Sequence, residues 1–190
     1  MRTQLRISVI ALVFFTLLTG LIYPLTVTGL AQLLFPLQAN GSLIEQDGEV
    51  IGSELIGQYF TDPKYFWGRP SATAPVPYNA AASAGSNLAL TNPALKQMVI
   101  ARIAALHSAD PGNTAPIPID LVTTSASGLD PHISVAAALY QVPRVARERG
   151  LDENQVRRLV EQSVEGRQFG FLGEPRINVL RLNLALDGLQ

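Results

Sequence analysis

Residues 7–35 contain no charged side chain, and Arg2 and Arg6 stand just ahead of them. Leu, Ile, Val and Phe fall on every face of a helix drawn through this stretch, and a helix apolar all round belongs in lipid rather than against a core. A bilayer core takes about 20 such residues, so the pattern predicts one transmembrane helix over residues 7–28, preceded by a short terminus at 1–6. Pro24 removes a backbone donor and disfavours helical geometry at Tyr23, which places the end of the span, or a kink, at that pair. Tyr23 also suits the headgroup boundary. A cleaved secretory signal would have an apolar core of about 7–15 residues; the run here is longer and reads as an uncleaved anchor. The arginine bias puts residues 1–6 in the cytoplasm and everything beyond the span outside it, because no basic residue follows until Lys64.

Beyond a connector at 29–42 the pattern becomes that of a folded domain, residues 43–190. Residues 43–60 alternate apolar and polar, with Asp47-Gly48 as a favourable hairpin dipeptide. Four prolines among Tyr65, Phe66, Trp67 and Tyr78 rule out a helix over 62–82 and predict an ordered, aromatic-pinned loop. Leu95, Met98, Val99, Arg102, Ile103 and Leu106 recur at helical spacing, with Asn92 as cap and Pro93 at the first helical position. Residues 117–124 read as a short strand. A helix from Ser134 to Arg149 should be kinked or split at Pro143 and end at Gly150. A third helix runs from a capping box at Asp152 and Gln155 to about Glu165. The tail over 177–186 alternates leucines as a strand would, yet Asn178 could cap a helix, and both remain open. The fold class is therefore α+β: a single N-terminal transmembrane helix followed by one mixed α/β soluble domain.

Charge and composition narrow the function. Lys and Arg total 14 against 15 Asp and Glu; with Arg2 and Arg6 set aside, the remainder carries net −3, which excludes nucleic acid as a partner, since that needs clustered positive charge. Cysteine is absent, so neither disulfides nor thiolate metal ligands stabilise the domain. No glycine loop ending in Gly-Lys-Ser/Thr and no Asp-Lys-Thr-Gly occurs, so the chain is not expected to hydrolyse ATP itself.

Three stretches carry candidate chemistry. Ser83-Ala84-Gly85-Ser86-Asn87 is the nearest approach to an anion cradle, through amides and hydroxyls, although a polar turn explains the same residues. Residues 125–134 hold Ser125, Ser127, Asp130 and His132, which a hydrolase would use as nucleophile, orienter and base; the competing account is a turn leading into the helix at Ser134. His107, at a helix end, reads as a solvated cap rather than a metal ligand. Arg167, Glu174 and Arg176 flank an apolar loop and read as ion pairs tying it down.

Taken together, Tyr23-Pro24, Leu55-Ile56-Gly57-Gln58, Tyr65-Phe66-Trp67-Gly68-Arg69-Pro70-Ser71-Ala72, Ser86-Asn87-Leu88, Asp120-Leu121-Val122-Thr123, residues 127–134, Gly166-Arg167 and residues 171–176 resemble the C subunits (KdpC) of Kdp potassium-transporting ATPases. That resemblance implies a non-catalytic subunit beside a channel-like potassium-binding subunit, a P-type ATPase subunit and a small single-span subunit in the bacterial inner membrane, surrounded by lipid. It also implies a catalytic chaperone that raises the ATP affinity of the pump, with ATP reached through the complex. On this family-level proposal Ser83, Gly85, Ser86 and Asn87 become nucleotide-contact candidates, and Tyr23, Pro24, Arg69, Asp130, His132, Arg167, Glu174 and Arg176 structural or interface residues. Ala84 stands where the family usually carries a second glycine, and Ser163-Val164 where it carries His-Thr. A Cβ at position 84 restricts backbone geometry and close approach of a phosphate.

Overall fold

The computed structural model describes residues 1–189, which divide into two compact units meeting in sequence at Ile51 and Gly52. The first begins with α1 (Arg2–Leu17), passes through a π-helical segment at Leu18–Ile22 and continues as α2 (Tyr23–Leu34). Together they make 33 helical residues of high mean hydropathy, with none of the most apolar window buried. At 1.5 Å per residue that is about 50 Å, longer than a hydrocarbon core of about 30 Å. The helix therefore neither starts at residue 7 nor stops at 28. Pro24 falls at the start of α2, and the wider turn before it, closed by Tyr23 N–H donating to the Leu18 carbonyl, absorbs the missing donor. The expected connector is partly helical too, with α3 at Pro36–Ala39.

The hairpin expected at Asp47-Gly48 is present as β1 (Leu43–Gln46) and β2 (Glu49–Ser53). Both turn residues have positive φ, 53° and 81°, as a two-residue turn matched to strand twist requires.

The second unit is built on α5 (Val135–Arg149), α6 (Glu153–Gln162) and α7 (Val179–Asp187), with α4 (Pro93–Ala109) contributing Leu106 to the shared core. Val142, Val145, Val156, Val160, Leu182 and Leu186 fill the space between these helices. A short antiparallel pair, β3 (His132–Ser134) and β4 (Arg176–Asn178), aligns Ile133 with Ile177, both buried. The tail resolves its ambiguity by being both: a strand to Asn178, whose side chain then accepts from Arg181 N–H and caps α7.

Three expectations are corrected. Residues 117–124 are not a strand; Ile119–Leu121 form a single 3₁₀ turn, which brings the Asp120 carboxylate onto Ser134 N–H (2.7 Å) and Ser134 Oγ (3.1 Å). Ser134 Oγ in turn accepts from Ala137 N–H, so the cap of α5 is held by a carboxylate 14 residues earlier. Pro143 does not split α5, which is one helix ending at Gly150 in the left-handed region (φ 65°). The capping box at Asp152 does not form; only the Asp152 carbonyl receives the Gln155 and Val156 amides. The expected helix over this stretch is present as α4, capped by Asn92; Leu106 is its fully buried residue, and Arg102 reaches the carbonyls of Leu121 and Gly68.

The aromatic stretch at 65–68 is indeed ordered, and the reason is polar as well as apolar. Phe66 is sealed from solvent, and its N–H and C=O pair with the Asn183 amide at 2.9 and 3.0 Å. The backbone of Trp67 does the same with Gln141, at 2.8 and 3.1 Å. Side-chain amides from α7 and α5 thus stand where neighbouring strands would, satisfying groups that burial would otherwise orphan. Arg144 completes the arrangement, bonding Gln141 Oε1 (2.7 Å) and the carbonyls of Pro63 and Tyr65, with its guanidinium 4.4 Å from the Trp67 ring centroid. Burial brings the Arg144 pKa down to about 10, against the pull of Asp110 and Glu148, so it is charged at neutral pH and stabilised by the ring face and carbonyls.

Candidate functional site

Several of the residues singled out from the sequence, Arg69, Asp130, His132 and Arg176 among them, converge on one region of the second unit. Asp130 lies in the turn before β3 and accepts from His132 N–H at 3.0 Å, with His132 Nδ1 at 3.3 Å from the same oxygen. Its other oxygen takes Arg69 Nη1 at 3.2 Å, while Arg69 Nη2 donates to the Thr124 carbonyl. His132 Nε2 is 3.6 Å from Glu165 Oε2, which also pairs with Arg176 Nε at 3.2 Å. The result is a string in which basic and acidic side chains alternate, Arg69, Asp130, His132, Glu165 and Arg176, running across β3 and β4. Burial raises the Asp130 pKa, but the hydrogen bonds from the His132 ring and amide, with the charge of Arg69, outweigh it and hold the carboxyl below its ordinary value.

The geometry of this string does not favour a hydrolase. Ser127 Oγ accepts from Leu129 N–H and Ser125 Oγ from Gly128 N–H, so both side chains brace their own loop. Both ring nitrogens of His132 face carboxylates, and a general base must instead lie within reach of the proton it takes from the nucleophile. Among the described residues no group of three or more His, Asp or Glu side chains is placed to hold a metal ion.

The anion-cradle candidates lie against the same loop. Ser83 Oγ and Ala84 N–H both donate to the Ser127 carbonyl, at 3.0 and 2.9 Å. Ser86 Oγ is 3.3 Å from Thr124 Oγ1. Gly85 sits where a Cβ would come within 2.7 Å of the Ala126 carbonyl oxygen, and Gly128 (φ 67°) where one would meet the Ala84 carbonyl oxygen at 2.5 Å. The two loops interlock through this pair of glycines. Asn87 has left-handed geometry, φ 50°. Ser83 Oγ and the Ala84 amide thus donate to the neighbouring loop, while Ser86 Oγ accepts from Thr124 Oγ1.

Tyr78 braces the same region. Its hydroxyl donates to the Arg69 carbonyl at 2.6 Å, and a Cβ at either Gly57 or Gly68 would run into the Tyr78 side chain, at 2.3 and 2.7 Å. Burial raises its pKa to about 12, Arg102 and Arg69 opposing and Asp130 adding to the rise. An open cleft of about 580 Å³ bordered by Leu55, Ile56, Arg69, Leu129 and Asp130 lies beside it.

Of the remaining candidates, Arg167 and Glu174 form the expected ion pair, 2.6 Å apart, and His107 is exposed in the last turn of α4. Tyr23 and Pro24 belong to the apolar helix of the first unit. Sequence reasoning missed Gln141 and Asn183, and the partners of Asp120 and Tyr78, because these roles depend on residues 9 to 117 positions away.

A helix long and apolar enough to cross a membrane is followed by a domain whose polar side chains brace its own loops. Residues 5–188 match the family described as KdpC: K+-transporting ATPase, c chain. The chain is 66% identical over 183 residues to the potassium-transporting ATPase KdpC subunit of Methylococcus capsulatus, covering 96% of each chain. It is 65% identical over 188 residues to that of Methylibium petroleiphilum, covering 99% of this chain and 98% of the relative. A third such subunit, from Sorangium cellulosum, is 61% identical over 188 residues, covering 99% of each. The chain belongs to the KdpC family, and its role is an accessory one in potassium transport.

Proposed function

We propose that the chain is a non-catalytic subunit of a high-affinity, ATP-driven potassium import complex, in which it stabilises the assembly and raises the ATP affinity of the catalytic subunit. Its partners on this reading are a channel-like potassium-binding subunit, a P-type ATPase subunit and a small single-span subunit of the bacterial inner membrane. The match to an ATPase c chain over residues 5–188 carries the reading. The relatives' name places those proteins in a potassium-transporting ATPase. Arg2 and Arg6, in the first turns of a helix otherwise free of charge, favour a cytoplasmic N-terminus and a domain outside the cytoplasm. That domain would meet no ATP, so its influence would travel through the assembly as a coupling free energy, typically about 1–3 kcal/mol, or roughly 5–150-fold in affinity.

Ser83 Oγ and Ala84 N–H, both donating to the Ser127 carbonyl, support the same indirect route. Reconstituting the pump with and without this chain tests it. Omission should weaken the apparent ATP affinity of the catalytic subunit by about fivefold or more; an assembled pump with unchanged ATP dependence would overturn the reading. The alternative, an exported hydrolase using Ser127, Asp130 and His132, is not favoured by the geometry above.

A further inference from the structure

His132 stands on β3 between two carboxylates that come from different parts of the chain. Its Nδ1 lies 3.3 Å from Asp130 Oδ1, in the turn before β3, and its Nε2 lies 3.6 Å from Glu165 Oε2. Glu165 is the root of a ribbon over residues 165–176. It exchanges both backbone hydrogen bonds with Arg176, at 2.8 and 3.0 Å, and farther out Gln168 and Leu172 do the same at 2.9 Å each. The Glu165 carboxylate therefore serves two contacts at once, the ring of His132 and the Arg176 guanidinium across the ribbon.

A neutral imidazole carries one N–H and one lone pair. Whichever nitrogen of His132 holds the hydrogen, the other then turns its lone pair on a carboxylate. Only the imidazolium presents an N–H to each. The charges around the ring complete the picture. Asp120 and Glu174 line the same cleft as His132, Asp130, Arg69 and Arg176, and α5 adds no residue to that lining among the described residues. With Glu165 and with Arg167, the partner of Glu174, four carboxylates stand against three guanidiniums, and one proton on the ring balances the set. We propose that His132 is a proton-operated latch, which fastens the 165–176 ribbon to β3 when the ring is charged and slackens when it is neutral. An imidazole changes charge between about pH 5 and 8, whereas a carboxylate ordinarily titrates near about pH 4, so the ring is the switch in this window. Because the charged ring holds both partners, the contact is complete at the acid end and is lost as pH rises. The latch belongs to the chain itself and does not depend on the assembly proposed above.

Amide hydrogen exchange of the full chain in detergent micelles tests it, at about pH 5.5 and about pH 8, each corrected for the intrinsic exchange rate at that pH. Fragments covering residues 163–178 should be about threefold more protected at the lower pH, the factor expected of one partly screened charge pair. Fragments of α5 should keep the same protection at both. His132→Gln should abolish the difference, and so should Glu165→Gln, which removes the carboxylate on the ribbon and leaves the ring in place. His107→Gln, at the other histidine of the chain, should retain it in full. Where His132→Gln melts below wild type, Glu165→Gln carries the test. Equal protection of the ribbon at the two pH values in wild type, a change of the same size in α5, or a full difference surviving in Glu165→Gln would each overturn the latch.

Discussion

Replacing Asn183 by alanine isolates the amide clamp on the aromatic segment. Asn183 and Phe66 are both sealed from solvent, and the amide is the recorded partner of the Phe66 N–H and C=O. Truncation leaves two backbone groups in an apolar core, each costing about 1–3 kcal/mol when orphaned. The expected loss is therefore about 2–6 kcal/mol, a large part of the 5–15 kcal/mol typical of a folded protein. For a chain of this size 1 kcal/mol corresponds to about 2–4 °C, so the melting temperature should fall by roughly 5–20 °C. Asn183→Leu should do no better, since bulk without an amide satisfies neither group. The single tryptophan, Trp67, is adjacent and 6% exposed, which makes its fluorescence a direct reporter of unfolding in urea for the full chain in detergent micelles. A loss under about 1 kcal/mol in both variants would show that the clamp is dispensable and that packing alone orders the segment.

Other outcomes follow from the same geometry. Ser127→Ala should leave pump activity largely intact, since the hydroxyl serves a local turn; its loss in a stable complex would revive a catalytic role. Asp130→Ala should cost about 0.5–2 kcal/mol. Because the folded Asp130 pKa lies below its ordinary 3.8, its contribution is present above that value and disappears as pH falls through the folded one, so wild type and variant should converge in acid denaturation below about pH 4; a gap that widens there would contradict the sign. Gly85→Ala and Gly128→Ala should each destabilise by about 1–3 kcal/mol, as the added carbon meets a backbone oxygen, and unchanged melting would show that the loops separate easily. The full chain alone should give no calorimetric signal with ATP, and Ala84→Gly should not create one; micromolar binding abolished by Ser86→Ala would restore direct contact.

Much of the architecture was legible because it rests on local rules. The uncharged run at 7–35, Asp47-Gly48, Asn92-Pro93 and Ser134 announce an apolar helix, a hairpin and two helix starts, and each lies where periodicity or capping puts it. What escaped depends on distant partners. Pro116 and Pro118 bracket a β-branched stretch, yet the chain turns there so that Asp120 can reach Ser134. Gln141 and Asn183 read as polar interruptions of helical faces, and only the fold reveals that Phe66 and Trp67 need them. Asp130 and His132 were legible as a turn before a helix, but their link through Glu165 to Arg176 requires β3 and β4 to be paired.

The wide turn at Leu18–Ile22 changes the bookkeeping of the helix that contains it. Counting in 3.6-residue turns from Arg2 predicts which side chains share a stripe only as far as Leu17. A π-bulge adds one residue without a matching advance around the axis, so the stripe seen from Tyr23 onward is displaced by about 100° from its extrapolation. Thr19 and Thr26, whose hydroxyls bond the carbonyls of Phe15 and Ile22, are seven residues apart and would nearly align in a regular helix; across the bulge they diverge. The two halves accordingly offer neighbours two separately phased surfaces, and a cross-linking scan along the span should show a periodicity that resets near Gly20.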